Sequence, residues 1–344
     1  MILVSRRTAL SVSLATLAAG CARVAVPTGI AADHGVSFDP FEREFSDVVD
    51  SSVQPRLLST GHRWAEGPAW DGERQRLYFT DVPGNRAFAW SQSSGVDVFL
   101  DPSGVEPERA QGMREPGANG LLLARSGGLL ICNHGARAVE LRDFRTGERR
   151  TLTGRFAGKK FNSPNDLIEA DDGTIYFTDP PYGLSGLNAS PMKELDVNGV
   201  YRLTPGGEVT RIVDDMTFPN GIVLSDDGRY LYVSQSDPDA PLIRRFTIGA
   251  DGVGGGEVWF DARPFMADVG GLPDGMAVGA GGHIFLAGPG GVLVIDRKAK
   301  CLGRIATGRA TANCAFGEDG KTLFITAADR LVAVRNKAPG LGRF

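Results

Sequence analysis

The sequence predicts an all-β chain folded as a six-bladed β-propeller, with about four antiparallel strands per blade. Three observations predict it. A polar-then-apolar segment recurs six times, glycine makes up 46 of 344 residues against a usual share of about 7%, and no stretch carries a sustained apolar stripe of helical period. The segments are AEGPAWDGERQRLYFTD, GANGLLLARSGGLLICN, SPNDLIEADDGTIYFTD, FPNGIVLSDDGRYLYVS, LPDGMAVGAGGHIFLAG and ANCAFGEDGKTLFITA. Each has a small or polar entry, one Glu, Asn or Asp, an apolar run, a Gly-containing turn and a β-rich run. The polar residues fall at Glu66, Asn119, Asn165, Asn220, Asp274 and Asn313, and a spacing of roughly 40 to 55 residues with several strands per unit is the signature of propeller blades.

Taken from the N-terminus, residues 1–30 read as an export signal. Ser5-Arg6-Arg7 is a basic start resembling a twin-arginine signal, and the apolar run TALSVSLATLAAG is far shorter than the roughly 20 residues that span a bilayer. Two processing routes stay open: LAAGC resembles a lipoprotein site with Cys21 as the lipidated residue, and the Ala-rich stretch beyond it suits plain cleavage to a soluble periplasmic protein. Residues 31–54 form an extension with one short helix expected between Val36 and Arg56, and residues 55–344 form the propeller. Outer strands are expected in GVYRLTPGGEVTRIV (Gly199 to Val213), LIRRFTI (Leu242 to Ile248) and GVLVIDRKAKCLGRI (Gly291 to Ile305). DGVGGGE (Asp251 to Glu257) reads as a turn between outer strands.

The innermost strand of every propeller blade begins beside the central channel, so the six polar residues are expected to meet there. Oxygen donors without histidine suit a hard cation such as calcium or magnesium. Asn-Gly and Asp-Gly are also turn dipeptides, and Asn119, Asn220 and Asp274 taken singly read as turns. Turn chemistry does not require Glu66 or Asn165.

Several function classes are excluded. A formal charge of -4 without basic runs lacks the footprint that phosphate backbones select. Cys132, Cys301 and Cys314 have no paired Cys-x-x-Cys spacing, which removes zinc ribbons and redox motifs; Cys301 and Cys314 read equally as one disulfide or as buried thiols. There is no Gly-x-Ser-x-Gly elbow for a serine hydrolase, and DGVGGGE fits neither a dinucleotide fingerprint nor a P-loop.

The motifs AEGPAW, MREPGANG (Met113 to Gly120), KKFNSPNDL (Lys159 to Leu167), YFTDPPYGL, FPNGIVLSDDGRYLYVS and LPDGM resemble the regucalcin and gluconolactonase family of six-bladed propellers, and its exported bacterial members in particular, from about Leu57 onward. The resemblance implies one divalent metal ion, with calcium favoured by the donor types and manganese, magnesium or zinc as alternatives. It implies Glu66, Asn220 and Asp274 as metal ligands and Asn165 as a residue shared between metal and substrate. Animal relatives carry Arg two residues before that Asn, where this chain has Ser163. Asn119, Arg114, His134, Tyr182 and Asp166 complete the expected substrate rim.

The implied activity is metal-dependent hydrolysis of a small sugar lactone to the aldonic acid. Asp274 is expected to act as the base that activates water. The loops Asp101 to Arg114 and Pro180 to Asp196 would read the sugar ring. Two other readings share the scaffold: a phosphotriesterase-like hydrolase, and a non-catalytic, metal-stabilised binding propeller. No nucleic-acid partner and no transmembrane helix are expected.

Overall fold

The computed structural model describes residues 35–249, 252–266 and 270–342, so the expected export signal over residues 1–30 and Cys21 lie outside the described residues. Six four-stranded antiparallel arrays follow one another along the chain. Blade 1 comprises Ala65–Asp71, Arg76–Asp81, Arg86–Ser91 and Gly95–Leu100, and blade 2 comprises Ala118–Leu123, Leu129–Asn133, Ala138–Arg142 and Arg149–Thr153. Blade 3 is Leu167–Glu169, Ile175–Asp179, Gly199–Leu203 and Val209–Val213, and blade 4 is Pro219–Leu224, Tyr230–Gln235, Leu242–Gly249 and Gly252–Asp261. Blade 5 is Met276–Val278, Ile284–Gly288, Gly291–Ile295 and Cys301–Ala306. Blade 6 takes its three inner strands from Thr311–Gly317, Thr322–Ala327 and Arg330–Arg335 and its outer strand from Arg56–Thr60.

That last pairing closes the ring. The strand before blade 1 in sequence completes blade 6 in space, and Arg56 adds an ion pair of 2.8 Å to Glu318. Ser37–Pro40 lies along the outer edge of blade 5 as a fifth strand. The expected short helix is Phe45–Val48, with Phe45 and Val48 buried. Among the described residues no helix is long and apolar enough to cross a membrane.

The alternation of strand residues places apolar side chains between blades. One buried cluster fills each junction: blades 1 and 2 through Tyr78 and Leu129, 2 and 3 through Leu130 and Tyr201, 3 and 4 through Val200 and Leu231. Ile243 with Leu293 and Phe285 with Ile325 continue the ring. At the closing junction Trp70 stacks on Phe324 with ring centroids 5.6 Å apart. Each such side chain contributes about 1.5–3 kcal/mol of transfer free energy, spread around the circle rather than in one central core.

Two expectations need correction or resolution. DGVGGGE is strand rather than turn from Gly252 onward: it forms the first half of the outer strand of blade 4, where the bulge opposite Arg245–Phe246 accommodates Gly255 and Gly256 at φ of +85° and +114°. A strand this twisted and bulged is what glycine permits and branched residues do not. Cys132, Cys301 and Cys314 are all buried free thiols, which resolves the alternative left open for Cys301 and Cys314.

Candidate functional site

The loops entering the inner strands are fixed by a device repeated from blade to blade. The last residue of a second strand turns its side chain to the backbone N–H groups of the loop beside it. Asp81 accepts from Arg63 and Trp64, both at 3.1 Å, and Asp179 accepts from Asn162 and Ser163, both at 2.8 Å. Gln235 accepts from Thr217 at 3.0 Å. This is the role of the aspartate in each YFTD motif. The signal was legible, because the same residue recurs at the same place, but its partners lie across a turn.

The inner strands then bulge where the polar residue sits. Pairing slips between Glu66 and Ala69, between Ala118 and Leu121, and between Pro219 and Ile222, and such bulges re-aim side chains. The peptide oxygens are anchored by neighbouring blades: Thr80 donates to Asn119 O at 3.1 Å, Thr178 to Asn220 O at 2.7 Å and Ser234 to Asp274 O at 2.7 Å. Glycine follows the polar residue because adjacent blades nearly touch. A Cβ on Gly67 would lie 2.1 Å from Asn119 O, and one on Gly221 would lie 2.2 Å from Asp274 O. The Asn-Gly and Asp-Gly pairs are therefore close-packing positions at the axis, not turns.

The side chains of Glu66, Asn119, Asn165 and Asn220 are all buried around the axis, and Asp274 keeps partial exposure. Burial, reinforced by Asp166, pushes the Glu66 carboxyl up to about 8. Asp274 is held well above the ordinary carboxyl range by burial, then by Glu66 and Asp166. Burial also raises Asp166 to about 7. Among the described residues no Lys, Arg or His forms an ion pair with any of the three. Asn313 tempers this by hydrogen bonding that favours the charged forms of Glu66 and Asp166. Asn220 donates its amide to the Ser236 hydroxyl at 2.8 Å, which commits its nitrogen to the protein.

Clustered carboxyls without a counter-charge suit a hard cation. Among the described residues no three His, Cys, Asp or Glu side chains converge tightly enough to hold a metal alone. A cation here would take amide oxygens as well, and the donor set of Glu66, Asp274, Asn165 and Asn220 fits that requirement. Asp166 stands apart from the rim. It occupies the register position held by glycine in blades 1, 2, 4 and 5, its two oxygens accept from Leu167 N at 2.9 Å and Ile222 N at 3.4 Å, and it lines the central channel. With Asn313 it borders a cavity of about 740 Å³ running along the inner strands, walled by Pro68, Leu121, Ile222 and Met276.

The remaining rim residues form one wall. The loop bearing Arg114 is tied to the loop bearing Tyr182 by Arg114 N–H to Gly183 O at 2.9 Å and Ser185 N–H to Gly112 O at 3.0 Å. Ser163 braces the second loop, donating to Pro180 O at 2.6 Å and accepting from Gly183 N–H at 2.9 Å. Ser163 thus serves as a small hydroxyl strut. Tyr182 stacks on Phe218 at 5.9 Å. His134 is fully buried. The sequence reading missed Glu115, which pairs with Arg114 at 3.0 Å and lies 3.6 Å from His134 Nδ1; it sits inside the MREPGANG motif, one residue after a residue that was singled out.

Comparison with known proteins places this geometry. The family model described as SMP-30/Gluconolactonase/LRE-like region matches residues 64–329. A gluconolactonase of Zymomonas mobilis is 38% identical over 306 residues, covering 87% of this chain and 86% of that protein. Pentonolactonase XacC of Haloferax volcanii is 26% identical over 282 residues, covering 79% and 84%. A solved gluconolactonase structure from Xanthomonas campestris superposes with a TM-score of 0.74 at 32% identity, covering 87% of this chain and 94% of that one. On the repeat, the ring and these matches, the chain belongs to the SMP-30/gluconolactonase/LRE-like family.

Proposed function

We propose that this chain hydrolyses a sugar lactone of the aldonolactone type to its aldonic acid, with one divalent cation at the axial site. The observation that supports this reading is the pair of neighbouring carboxyls Glu66 and Asp274, with Asn165 and Asn220 at the equivalent positions of blades 3 and 4 and no cationic partner to the carboxyls among the described residues, in a chain similar to gluconolactonases over most of its length. Glu66, Asp274, Asn165 and Asn220 would hold the cation, with calcium favoured by oxygen donors alone. When bound, it would supply Lewis-acid polarisation of the lactone carbonyl and lower the cost of the oxyanion.

The chain's own groups do the rest. Asp274 takes a proton from the attacking water; its partial exposure lets water reach it, and its backbone oxygen is held by Ser234 at 2.7 Å. Asn119, Arg114 and Tyr182 offer polar partners to ring hydroxyls, and the two tied loops exclude bulk water from one side. The basic start and short apolar run support secretion to the periplasm as the setting.

The test is hydrolysis of glucono-1,5-lactone by the purified chain, after chelation and after adding back single divalent ions. Loss with chelator and return with one ion supports the reading. Asp274→Asn should retain the fold and much of the cation affinity while losing most turnover, about 10²–10⁴-fold for a general base. Cation binding without turnover of any sugar lactone would favour the phosphotriesterase or binding-module reading.

A further inference from the structure

Opening a lactone requires two proton movements: one from the attacking water and one to the ring oxygen that leaves. Asp274 accounts for the first. Glu115 is a carboxyl on the same rim outside the cation cluster, only 8% exposed, and within electrostatic range of Asp274. Its Oε1 faces Arg114 Nη2 at 3.0 Å and its Oε2 faces His134 Nδ1 at 3.6 Å. Both ring nitrogens of His134 are buried without a hydrogen-bond partner among the described residues, although native structures pair nearly all such groups. The buried Tyr182 hydroxyl has Ser236 as a hydrogen-bonding neighbour and lies within electrostatic range of Asp274, Glu115 and Arg114. The wall therefore holds unspent hydrogen-bonding capacity around one carboxyl.

We infer, resting on the lactone reading above, that Glu115 is the proton donor to the departing ring oxygen. Water bonds to the carbonyl carbon as its proton passes to Asp274. The bond from that carbon to the ring oxygen then breaks, its electron pair stays on the oxygen, and the oxygen takes the proton of Glu115. The proton on Asp274 returns through water to Glu115, so the sum is lactone plus water to hydroxy acid. The surroundings keep Glu115 able to donate. Burial raises it to about 7 against the opposing pull of Arg114, and burial holds His134 down at about 3, so the imidazole beside it is neutral and adds no charge that would strip the proton.

The experiment compares glucono-1,5-lactone, whose leaving group is an alkoxide, with dihydrocoumarin, whose leaving phenolate has a conjugate acid near the tyrosine value of about 10 and departs unaided. Glu115→Gln should lower kcat on the sugar lactone about 10²–10⁴-fold and stay within a few-fold of wild type on the aryl lactone, which also reports that the variant is folded. Equal losses on both, no loss on either, or a change in KM alone would overturn the assignment and leave Glu115 as a loop strut. Glu115→Asp, which keeps the acid, gives a second comparison that needs no aryl substrate: it should exceed the Gln variant on the sugar lactone, and turnover at or below that of Gln overturns the role. If wild type leaves sugar lactones intact, the lactone reading itself falls and this inference with it.

Discussion

Asp179 shows how a residue remote from any ligand sets the site. Its two oxygens each accept one backbone N–H, from Asn162 and Ser163, and those residues lead directly into Asn165. Burial raises the carboxyl to about 7 despite these bonds and the nearby Arg137 and Lys193. Asp179→Asn puts an amide NH₂ where one acceptor stood, so one N–H loses its partner at a cost of about 1–3 kcal/mol. Thermal unfolding should fall accordingly, and KM for the lactone should rise because Asn165 is no longer held in register. An unchanged melting temperature would remove Asp179 from the scaffold of the site. The same logic extends to Asp81, which fixes Arg63 and Trp64 just ahead of Glu66.

At the scale of the element, the bulged start of the inner strand in blades 1, 2 and 4 is the unit that builds the axis. It works only where neighbouring backbones can approach, and the glycine after the polar residue provides the room. Gly221→Ala places a Cβ 2.2 Å from Asp274 O, whereas Gly254→Ala in the outer strand of the same blade meets nothing within 4 Å among the described residues. The first substitution should cost about 1–3 kcal/mol as overpacking and weaken the cation site by displacing Asp274; the second should be close to neutral. Paired unfolding curves and cation titrations check both, and equal effects would contradict the close-packing account.

At the scale of the molecule, the ring gathers acidic groups from blades far apart in sequence into one low-dielectric place. Glu66 is raised to about 8 and Asp166 to about 7, with Asp274 raised as well, so these carboxyls hold more protons in the folded chain than in the unfolded one between the ordinary carboxyl range of about 4 and about 8, an excess that the lowered histidines oppose only below their ordinary value of about 6.5. The chain's cation-free stability should therefore fall as pH rises through that window. Calcium, which binds the charged forms, should restore stability most at the upper end. Melting temperatures at pH 5 and pH 8, with chelator and with calcium, measure this, and a cation-free chain equally stable at both would contradict it. Closure acts at the same scale, since Arg56–Thr60 completes blade 6 and couples the first part of the domain to the last.

The sequence by itself determined the six-fold repeat, the strand number and the positions of Glu66, Asn119, Asn165, Asn220 and Asp274, because a repeat in the chain becomes a rotation in space and equivalent residues must converge. It could not decide whether Asn119-Gly120 and Asn220-Gly221 were turns or close-packed strands. That depends on how near the next blade's backbone comes, which is a distance between segments the sequence leaves unrelated. Nor could it find Glu115, whose environment is made by His134 and Tyr182 from other loops, or see that DGVGGGE continues a strand. Local propensity marks glycine as a breaker, and only pairing with Leu242–Gly249 shows that a bulged strand runs through it.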